Sequence, residues 1–492
     1  MTNLEDVCTP HFEERIKTAM KTFDVPGCVL VLVKGNPNGS YQEIIRPFGK
    51  RDSQNPMTAE TTFAIASNSK LVTSIAVLRA LAGEGLDCRA RVKDILPQYE
   101  MVDKFAQEEC TVEDVLTHRT GMPAFDHIWG PNYIKTPLLE RLKFLPPCCG
   151  FRQEHHYCNI MYDLIPLIVE KLSGIPFERF VKTKILEPAA MTSTDFSPSS
   201  EAAVGYWKKL SLKGENKSIA LPSGLHQYPG AEGAMKLWSN GVDMAKWLKT
   251  YPQLDEWESC SKAKVVTIPF TSDAVDTTKT YGFGTMQYAH RGQSFILHPG
   301  NLDTFNTVVA RLPDIGVGFA LLVNSNGSYF RQAIIMMLIE AFCNLPLVDW
   351  QARMMKNKIK HDNDERQEMK AIDCSGEAGK EIIGTYSHPG FDTWVLTKEN
   401  NVKTRPELTS LPPLASCHGA MKPLFAPMQN GTYEGFWALT FKQGDHVGQT
   451  LLGKPFQAEL KDDGKKLWVC GMSDIRDGLK KEDHPLVMTR ID

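Results

Sequence analysis

Thr62-Phe63-Ala64-Ile65-Ala66-Ser67-Asn68-Ser69-Lys70-Leu71 is the stretch on which the reading turns. A short β-type run, Thr62 to Ile65, leads into Ser67. Leu71, Ile75, Leu78 and Leu81 then recur at helical spacing until Gly83 and Gly85 end the pattern. Ser67 is thereby predicted at a helix N-terminus, with Lys70 one turn on above the same face. There the helix dipole favours negative charge, a backbone N–H is available to an oxyanion, and the amine can reach the hydroxyl proton. A serine hydroxyl is a poor nucleophile until a neighbouring base takes that proton. Ser-x-x-Lys is short enough to recur by chance, and it does so at Ser259-Cys260-Ser261-Lys262. That copy runs into a strand-like segment, Val265 to Phe270, rather than an amphipathic helix. Context selects Ser67.

Outward from this stretch, the two ends of a first domain read as sheet. Thr9 and Pro10 suit an N-cap and first helical position, and Phe12, Ile16, Met20 and Phe23 follow at helical spacing. After Pro26-Gly27, the apolar run Cys28 to Val33 is a buried strand, and Tyr41 to Ile45 is its hairpin partner. Strand chemistry returns at Ser294 to Leu297, Thr307 to Leu312 and Val317 to Val323, before a closing helix from about Phe330 to Phe342. Between these ends, Ser67 to Leu248 is mostly helical. The expected class is α+β: an antiparallel sheet built from both chain ends, flanked by helices and carrying a helical subdomain. The expected domains are 1–350, a Lys-, Asp- and Glu-rich linker or helix over 351–380, and a small β domain over 381–492.

Two further elements carry chemistry. Tyr157-Cys158-Asn159 follows a Pro-Cys-Cys-Gly turn (Pro147 to Gly150) and precedes an apolar helix from Met161 to Leu172. Tyrosine and lysine both have ordinary pKa values near 10, so either needs help to act as base; a cationic Lys70 beside it would favour the tyrosinate of Tyr157. Asn159 is a candidate contact for a substrate amide or carbonyl. His298-Pro299-Gly300 is an H-x-G triplet closing the apolar run Phe295 to Leu297. His290, His388 and His446 begin similar triplets without that setting. Gly300 would let a substrate lie against the strand, and the N–H of Asn301 is the candidate second oxyanion donor.

The order Ser-x-x-Lys, Tyr-x-Asn, His-x-Gly resembles the serine β-lactamase, penicillin-binding protein and esterase family, nearest its class C branch. Thr111 to Pro123, which contains Leu116-Thr117-His118-Arg119-Thr120-Gly121-Met122-Pro123, looks like that family's L-T-H-x-S/T-G-L/M-P segment. Ile185-Leu186-Glu187-Pro188 with Met191 to Thr194 looks like its I-L-x-P-L-G-M-x-x-T segment, and Gly233 to Trp247 resembles the stretch before its third motif. The resemblance implies Ser67 as nucleophile, Lys70 and Tyr157 as general acid and base, Asn159 as substrate contact, and an oxyanion hole from the N–H groups of Ser67 and Asn301. His118 looks structural in this family. His298 stands where K-T-G has lysine, as in esterase-like members, which points away from carboxylate-bearing β-lactams. The tail from Gly384, Gly-Thr-Tyr-Ser-His-Pro-Gly, is similar to the lipocalin-like barrel some members carry; such a domain would cover the site or mediate homo-oligomerisation.

Composition bounds what else the chain does. In 492 residues, a net charge of −3 argues against a nucleic-acid binder, which needs a clustered basic face. No apolar run is long enough to span a bilayer, and the polar start, Met1 to Lys21, lacks a signal-peptide core, so a cytoplasmic protein is expected. The 12 cysteines contain no C-x-x-C pair, and Cys148-Cys149 reads as two small turn residues. No cofactor or metal is implied: Glu154-His155-His156 lacks the H-E-x-x-H spacing, and adjacent histidines cannot share a helix face. The reading that follows is a serine hydrolase or acyltransferase working through an acyl-enzyme on a small ester or amide, in the manner of secondary-metabolism esterases and transesterases. D-amino-acid peptidase or β-lactamase activity is the near alternative. A non-catalytic binding or assembly protein on this fold is the distant one.

Overall fold

The computed structural model describes residues 3–124, 137–209, 217–221, 230–267, 276–302, 304–370, 384–389, 392–396, 420–427, 433–443, 446–461, 465–470 and 486–491. The chain divides into two units, one of residues 1–87, 169–227 and 232–367, the other of 88–168, 228–231 and 368–492.

The first unit grows from the apolar run at its start. Strand β1 (Gly27–Gly35) is buried along nearly its whole length, which is why its sequence is continuously apolar rather than alternating. It pairs antiparallel with β2 (Tyr41–Gly49) on one side and with β8 (Val317–Val323) on the other. The remaining strands are β3 (Val265–Val266), β4 (Asp276–Tyr281), β5 (Met286–His290), β6 (Gln293–Asn301) and β7 (Asn306–Leu312). Together they make an eight-stranded sheet in the order β2-β1-β8-β7-β6-β5-β4-β3. The first and last strands of this unit's sequence thus meet within the sheet, where β1 lies against β8 one strand in from the β2 edge.

Side chains two apart share a sheet face. Cys28, Leu30 and Leu32 join Phe319, Leu321 and Val323 in the core beneath helix α1 (Pro10–Thr22) and helix α4 (Ser328–Phe342). Thr9 caps α1, its hydroxyl accepting from the Phe12 N–H at 3.2 Å, as the Thr-Pro signal predicts. Helix α3 (Gly241–Thr250) covers the opposite face. Gly241 approaches Val29 so closely that a Cβ there would stand 2.8 Å from a Val29 methyl. Helix α2 (Ser69–Gly83) follows the predicted span, whereas the run Thr62 to Ile65 pairs only over Phe63–Ala64, with Trp238–Ser239. Helix α5 (Trp350–Lys370) occupies much of the charged 351–380 segment and returns Trp350 and Met354 to the core.

In the second unit, the expected helix Met161 to Leu172 is split into Asn159–Tyr162 and Leu164–Ser173. Pro166 explains the break, since it offers no N–H to a carbonyl one turn back. The C-terminal residues form a seven-stranded antiparallel sheet of β9 (Gly384–His388), β10 (Asp392–Leu396), β11 (Ala420–Pro427), β12 (Tyr433–Gln443), β13 (His446–Lys461), β14 (Lys466–Cys470) and β15 (Leu486–Arg490), ordered β10-β9-β15-β14-β13-β12-β11. Residues 371–383, where the linker was expected to end, lie outside the described residues.

A buried carboxylate organises the helical part of this unit. Asp114 forms a capping box with Thr111 and accepts from Arg152 at 2.7 and 2.9 Å, while Arg119 lies 3.0 Å away. Burial alone would raise its pKa, but the Arg152 and Thr111 hydrogen bonds hold it below the ordinary carboxylate range. Arg119 and Arg152 are 26% and 40% exposed, so both stay partly solvated if Asp114 is lost, and what is lost is the helix cap and its charged hydrogen bonds. Asp114→Ala is therefore expected to lower the urea-unfolding free energy by about 2 kcal/mol, and a loss below about 0.5 kcal/mol would reduce this cluster to ornament.

Candidate active site

The chain turns sharply between the short strand Phe63–Ala64 and α2. Ala66 takes a left-handed φ of 50°, a conformation costly for a residue with a Cβ. The following residues, Ala66–Asn68, form a 3-10 turn, and α2 continues from Ser69. Ser67 therefore opens the helical stretch, whose first N–H groups have no partner within the helix. The second serine of the motif fastens the turn: Ser69 Oγ donates to the Ala66 carbonyl at 2.7 Å and accepts from the Leu237 N–H at 3.2 Å.

Lys70 is fully buried, and Ser67 is 8% exposed. Lys70 Nζ lies 3.2 Å from Ser67 Oγ and 3.0 Å from the Ala234 carbonyl. The first separation is within reach of direct proton transfer. Ala234 belongs to the Gly233 to Trp247 stretch noted in the sequence, which thereby supplies an acceptor that aims the amine. Gly284 packs on the far side of this helix turn with a φ of 69°; a Cβ there would meet the Lys70 carbonyl carbon at 2.7 Å.

Strand β6 lies flush against the turn. Asn68 Nδ2 donates to Thr307 Oγ1 at 2.8 Å, and that hydroxyl donates to the Ile65 carbonyl at 2.9 Å. A Cβ on Gly300 would overlap Thr307 Oγ1 and the Ile65 carbonyl. The glycine of the H-x-G triplet is thus required for backbone contact beneath the serine, not only for access of a substrate. Arg331, from α4, donates to the Gly300 carbonyl (3.0 Å), Asn301 Oδ1 (2.9 Å) and the Thr307 carbonyl (2.9 Å). Burial pulls its guanidinium down to about 10, so it stays cationic at neutral pH. Asn301 Oδ1 also accepts from Asn306 Nδ2 at 2.9 Å, so its side chain is tied to the strand pair.

His298 is buried. Its Nε2 lies 3.0 Å from the Tyr281 hydroxyl, and its Nδ1 lies 2.8 Å from the Pro299 carbonyl. Burial first, and then the charge of Lys70, push the imidazole down to about 3. It is neutral at physiological pH and contributes no cation to this half of the site.

Tyr157 and Asn159 stand on the second unit. The Tyr157 ring packs on His118, with centroids 4.3 Å apart, and His118 packs in turn on Tyr162 at 5.0 Å. His118 has a left-handed φ of 57°, and its Nδ1 accepts from the Cys158 N–H at 3.1 Å. Cys158 donates its thiol to the Pro123 carbonyl at 3.0 Å. Asn159 is buried and begins the helix Asn159–Tyr162. The structural role expected for His118 thus consists in propping Tyr157 and its flanking backbone.

Sequence reasoning brings Ser67, Lys70, His298, Gly300 and Asn301 to one unit. It missed Asn68, Thr307, Arg331, Tyr281 and Ala234, which position them. Only Tyr281-Gly-Phe-Gly284 carried a local signal, two glycines next to an aromatic. The decoy Ser259 is exposed on the short helix Trp257–Ser261, and Lys262 pairs with Glu258 at 2.6 Å. His290 is buried at a hairpin end. Asp303, residues 268–270 of the run after the decoy, and Gly390 of the His388 triplet lie outside the described residues.

A family model described as Beta-lactamase matches residues 12–340. The unguisins hydrolase ungD' of Aspergillus campestris (strain IBT 28561) is 26% identical over 343 residues, which cover 65% of this chain and 61% of that protein. Protein flp of Staphylococcus aureus (strain N315) is 22% identical over 351 residues, covering 68% and 66%. The chain thus spans 61–66% of the length of these curated relatives. Among solved structures, the octameric penicillin-binding protein homologue from Pyrococcus abyssi superposes with a TM-score of 0.55 at 19% identity, covering 97% of this chain and 99% of that one. A class C beta-lactamase gives 0.53 at 18% identity, over 68% and 96%. At such identities these two structures establish the fold alone.

The neutral His298 has a measurable consequence. An unfolded chain protonates this histidine near 6.5, whereas the folded one does so only near 3. Between those values the unfolded state binds the extra proton, so the stability tied to His298 is complete above about 6.5 and lost as pH falls toward 3. Urea unfolding at pH 7 and pH 4.5 is expected to show a smaller acid loss in His298→Gln than in the wild type. Equal losses would mean that His298 is charged when folded.

Proposed function

The chain belongs to the β-lactamase family, and from that premise we propose that it is a serine hydrolase or acyltransferase that forms an acyl-enzyme on Ser67. One observation carries the reading: a buried amine 3.2 Å from the hydroxyl of a nearly buried serine on a strained helix-opening turn. In the reaction, Ser67 Oγ forms a bond to the carbonyl carbon of a small ester or amide while its proton passes to the Lys70 amine. The oxyanion is stabilised by backbone N–H groups, for which Ser67 and Asn301 are the proposed donors. The C–O or C–N bond then breaks, and the leaving group takes up a proton. Tyr157 shares this general acid and base work, and Asn159 contacts the substrate. Water, or an alcohol or amine, next attacks the acyl-enzyme and releases Ser67.

The neutral His298 favours substrates without a carboxylate at that position over β-lactams, since no lysine stands there to meet one. The hydrolytic branch draws support from a relative named as a hydrolase of unguisins, and a setting in secondary metabolism is consistent with that name. Among the described residues Cys8, Cys28, Cys88, Cys110, Cys148, Cys149, Cys158, Cys260 and Cys343 are free thiols, and no helix is long and apolar enough to cross a membrane. Free thiols fit the proposed cytoplasmic setting. Residues 1–350 are proposed as the catalytic domain, 351–380 as a linking helix and 381–492 as a lipocalin-like domain. That domain would mediate self-association of the kind named for the octameric archaeal homologue.

Intact-protein mass spectrometry with a fluorophosphonate, activated esters and β-lactams tests the chemistry. A covalent adduct is expected on the wild type and on Ser259→Ala, and none on Ser67→Ala, whose turnover should fall on the order of 10⁴-fold or more. An adduct that persists in Ser67→Ala and vanishes in Ser259→Ala would overturn the assignment. For the tail, light scattering of the full chain should give an assembly larger than a monomer that is lost when residues 376–492 are removed. An assembly indifferent to that deletion would refute the role.

A further inference from the structure

The loop that leads into Tyr157 is laced at both ends to one short segment. The Cys148 N–H donates to the Gly121 carbonyl at 2.8 Å, the Arg152 N–H to the Arg119 carbonyl at 2.9 Å, and the His156 N–H to the His118 carbonyl at 2.9 Å. Gly121, at a φ of 76°, lies so near the Cys149 carbonyl that a Cβ would stand 2.6 Å from it. This lacing folds residues 148–156 back on themselves. Cys148 Sγ, Cys149 Sγ and a ring nitrogen of His156 come within 4.8 Å of one another. Cys148 and His156 are buried and Cys149 is half-buried. Glu154 Oε2 lies 3.3 Å from His156 Nε2, the kind of carboxylate contact that fixes the tautomer of an imidazole.

Two thiols and an imidazole form a soft donor set, suited to zinc-class ions and ill suited to magnesium or calcium. Around one ion at roughly 2.0–2.3 Å from each donor, neighbouring tetrahedral ligands sit about 3.3–3.8 Å apart. The donor atoms of the cluster, all within 4.8 Å of one another, stand at most about 1 Å beyond this spacing. Sequence spacing conceals the set, because adjacent cysteines and a histidine seven residues later match no metal-binding pattern.

We propose that Cys148, Cys149 and His156 form a binding site for one soft divalent cation of the zinc class, with the fourth position left to water. Binding would release the thiol protons as two metal–sulfur bonds form. Tyr157 follows His156 directly, so an ion here would also stiffen the backbone that presents the phenol. Only that last consequence rests on the proposed function; the site itself does not.

The test uses the reduced, metal-free full chain and reads binding rather than turnover. Zinc is titrated in competition with a chromogenic chelator, and cadmium is titrated while its thiolate charge-transfer absorption is followed. One ion per chain is expected, with a thiolate band. Affinity should fall at least ~10-fold in Cys149→Ser and in His156→Gln, and be unchanged in Cys343→Ser, a partly exposed thiol elsewhere. Matching thermal unfolding of the metal-free variants would guard against misfolding as the cause. The proposal is overturned if the reduced wild type binds no ion, or if Cys149→Ser and His156→Gln bind as tightly as wild type. Recovery of Cys148 and Cys149 as a mutual disulfide in reducing buffer, without ion, would overturn it equally.

Discussion

The arrangement around Ser67 depends on one close approach, that of the strand Gln293–Asn301 to the turn carrying this serine. Gly300 has no Cβ to hold the two backbones apart, and the Asn68–Thr307–Ile65 hydrogen bonds close the gap. Because the turn is pinned to the sheet, the strained Ala66 conformation cannot relax without breaking buried hydrogen bonds. That is how a globular core sustains local strain: the surroundings over-determine it. The same contact sets where Ser67 stands relative to the Asn301 backbone, so the serine turn and the end of this strand are one mechanical piece.

Electrostatics follows from this packing. Lys70 and Arg331 are two buried basic groups, each surrounded by acceptors: Ser67 Oγ and the Ala234 carbonyl for the amine, two carbonyls and Asn301 Oδ1 for the guanidinium. A protonated imidazole beside them would be costly in such a low-dielectric setting. His298 accordingly is neutral, held by Tyr281 and its neighbour's carbonyl. Replacing a lysine by histidine in the third motif is therefore a change of charge at neutral pH as well as of shape.

The second unit solves a different problem, that of holding a loop whose sequence has little helix or strand character. Asp114 anchors it through two arginines, and His118 stacks under Tyr157 while accepting from the Cys158 N–H. Positive φ values at His118 and Gly121 turn the chain so that its carbonyls face the loop of residues 148–156. Tyrosine and cysteine–histidine cluster are both products of that lacing.

Much of this molecule was legible in the chain. Hydrophobic period fixed the central strands, because a strand buried on both faces must be apolar throughout, and the Thr-Pro start of helix α1 capped as read. Helix periodicity told Ser67 from Ser259, since only the former precedes an apolar run at helical spacing, and the helix it forms is buried on every side from Ser69 to Val77. Tertiary structure alone decided the rest. Thr307, Arg331 and Tyr281 bear on the site through side-chain hydrogen bonds to residues distant in sequence, which leave no periodic trace. The split at Pro166 was written in the sequence, yet the apolar pattern on either side masked it. The nearness of Cys148 and Cys149 to His156 depends on backbone bonds to residues 118–121, and no local spacing encodes such folding-back. Sequence by itself determined which residues could do chemistry; the fold decided which of them touch, because contact is a property of packed surfaces and not of order along the chain.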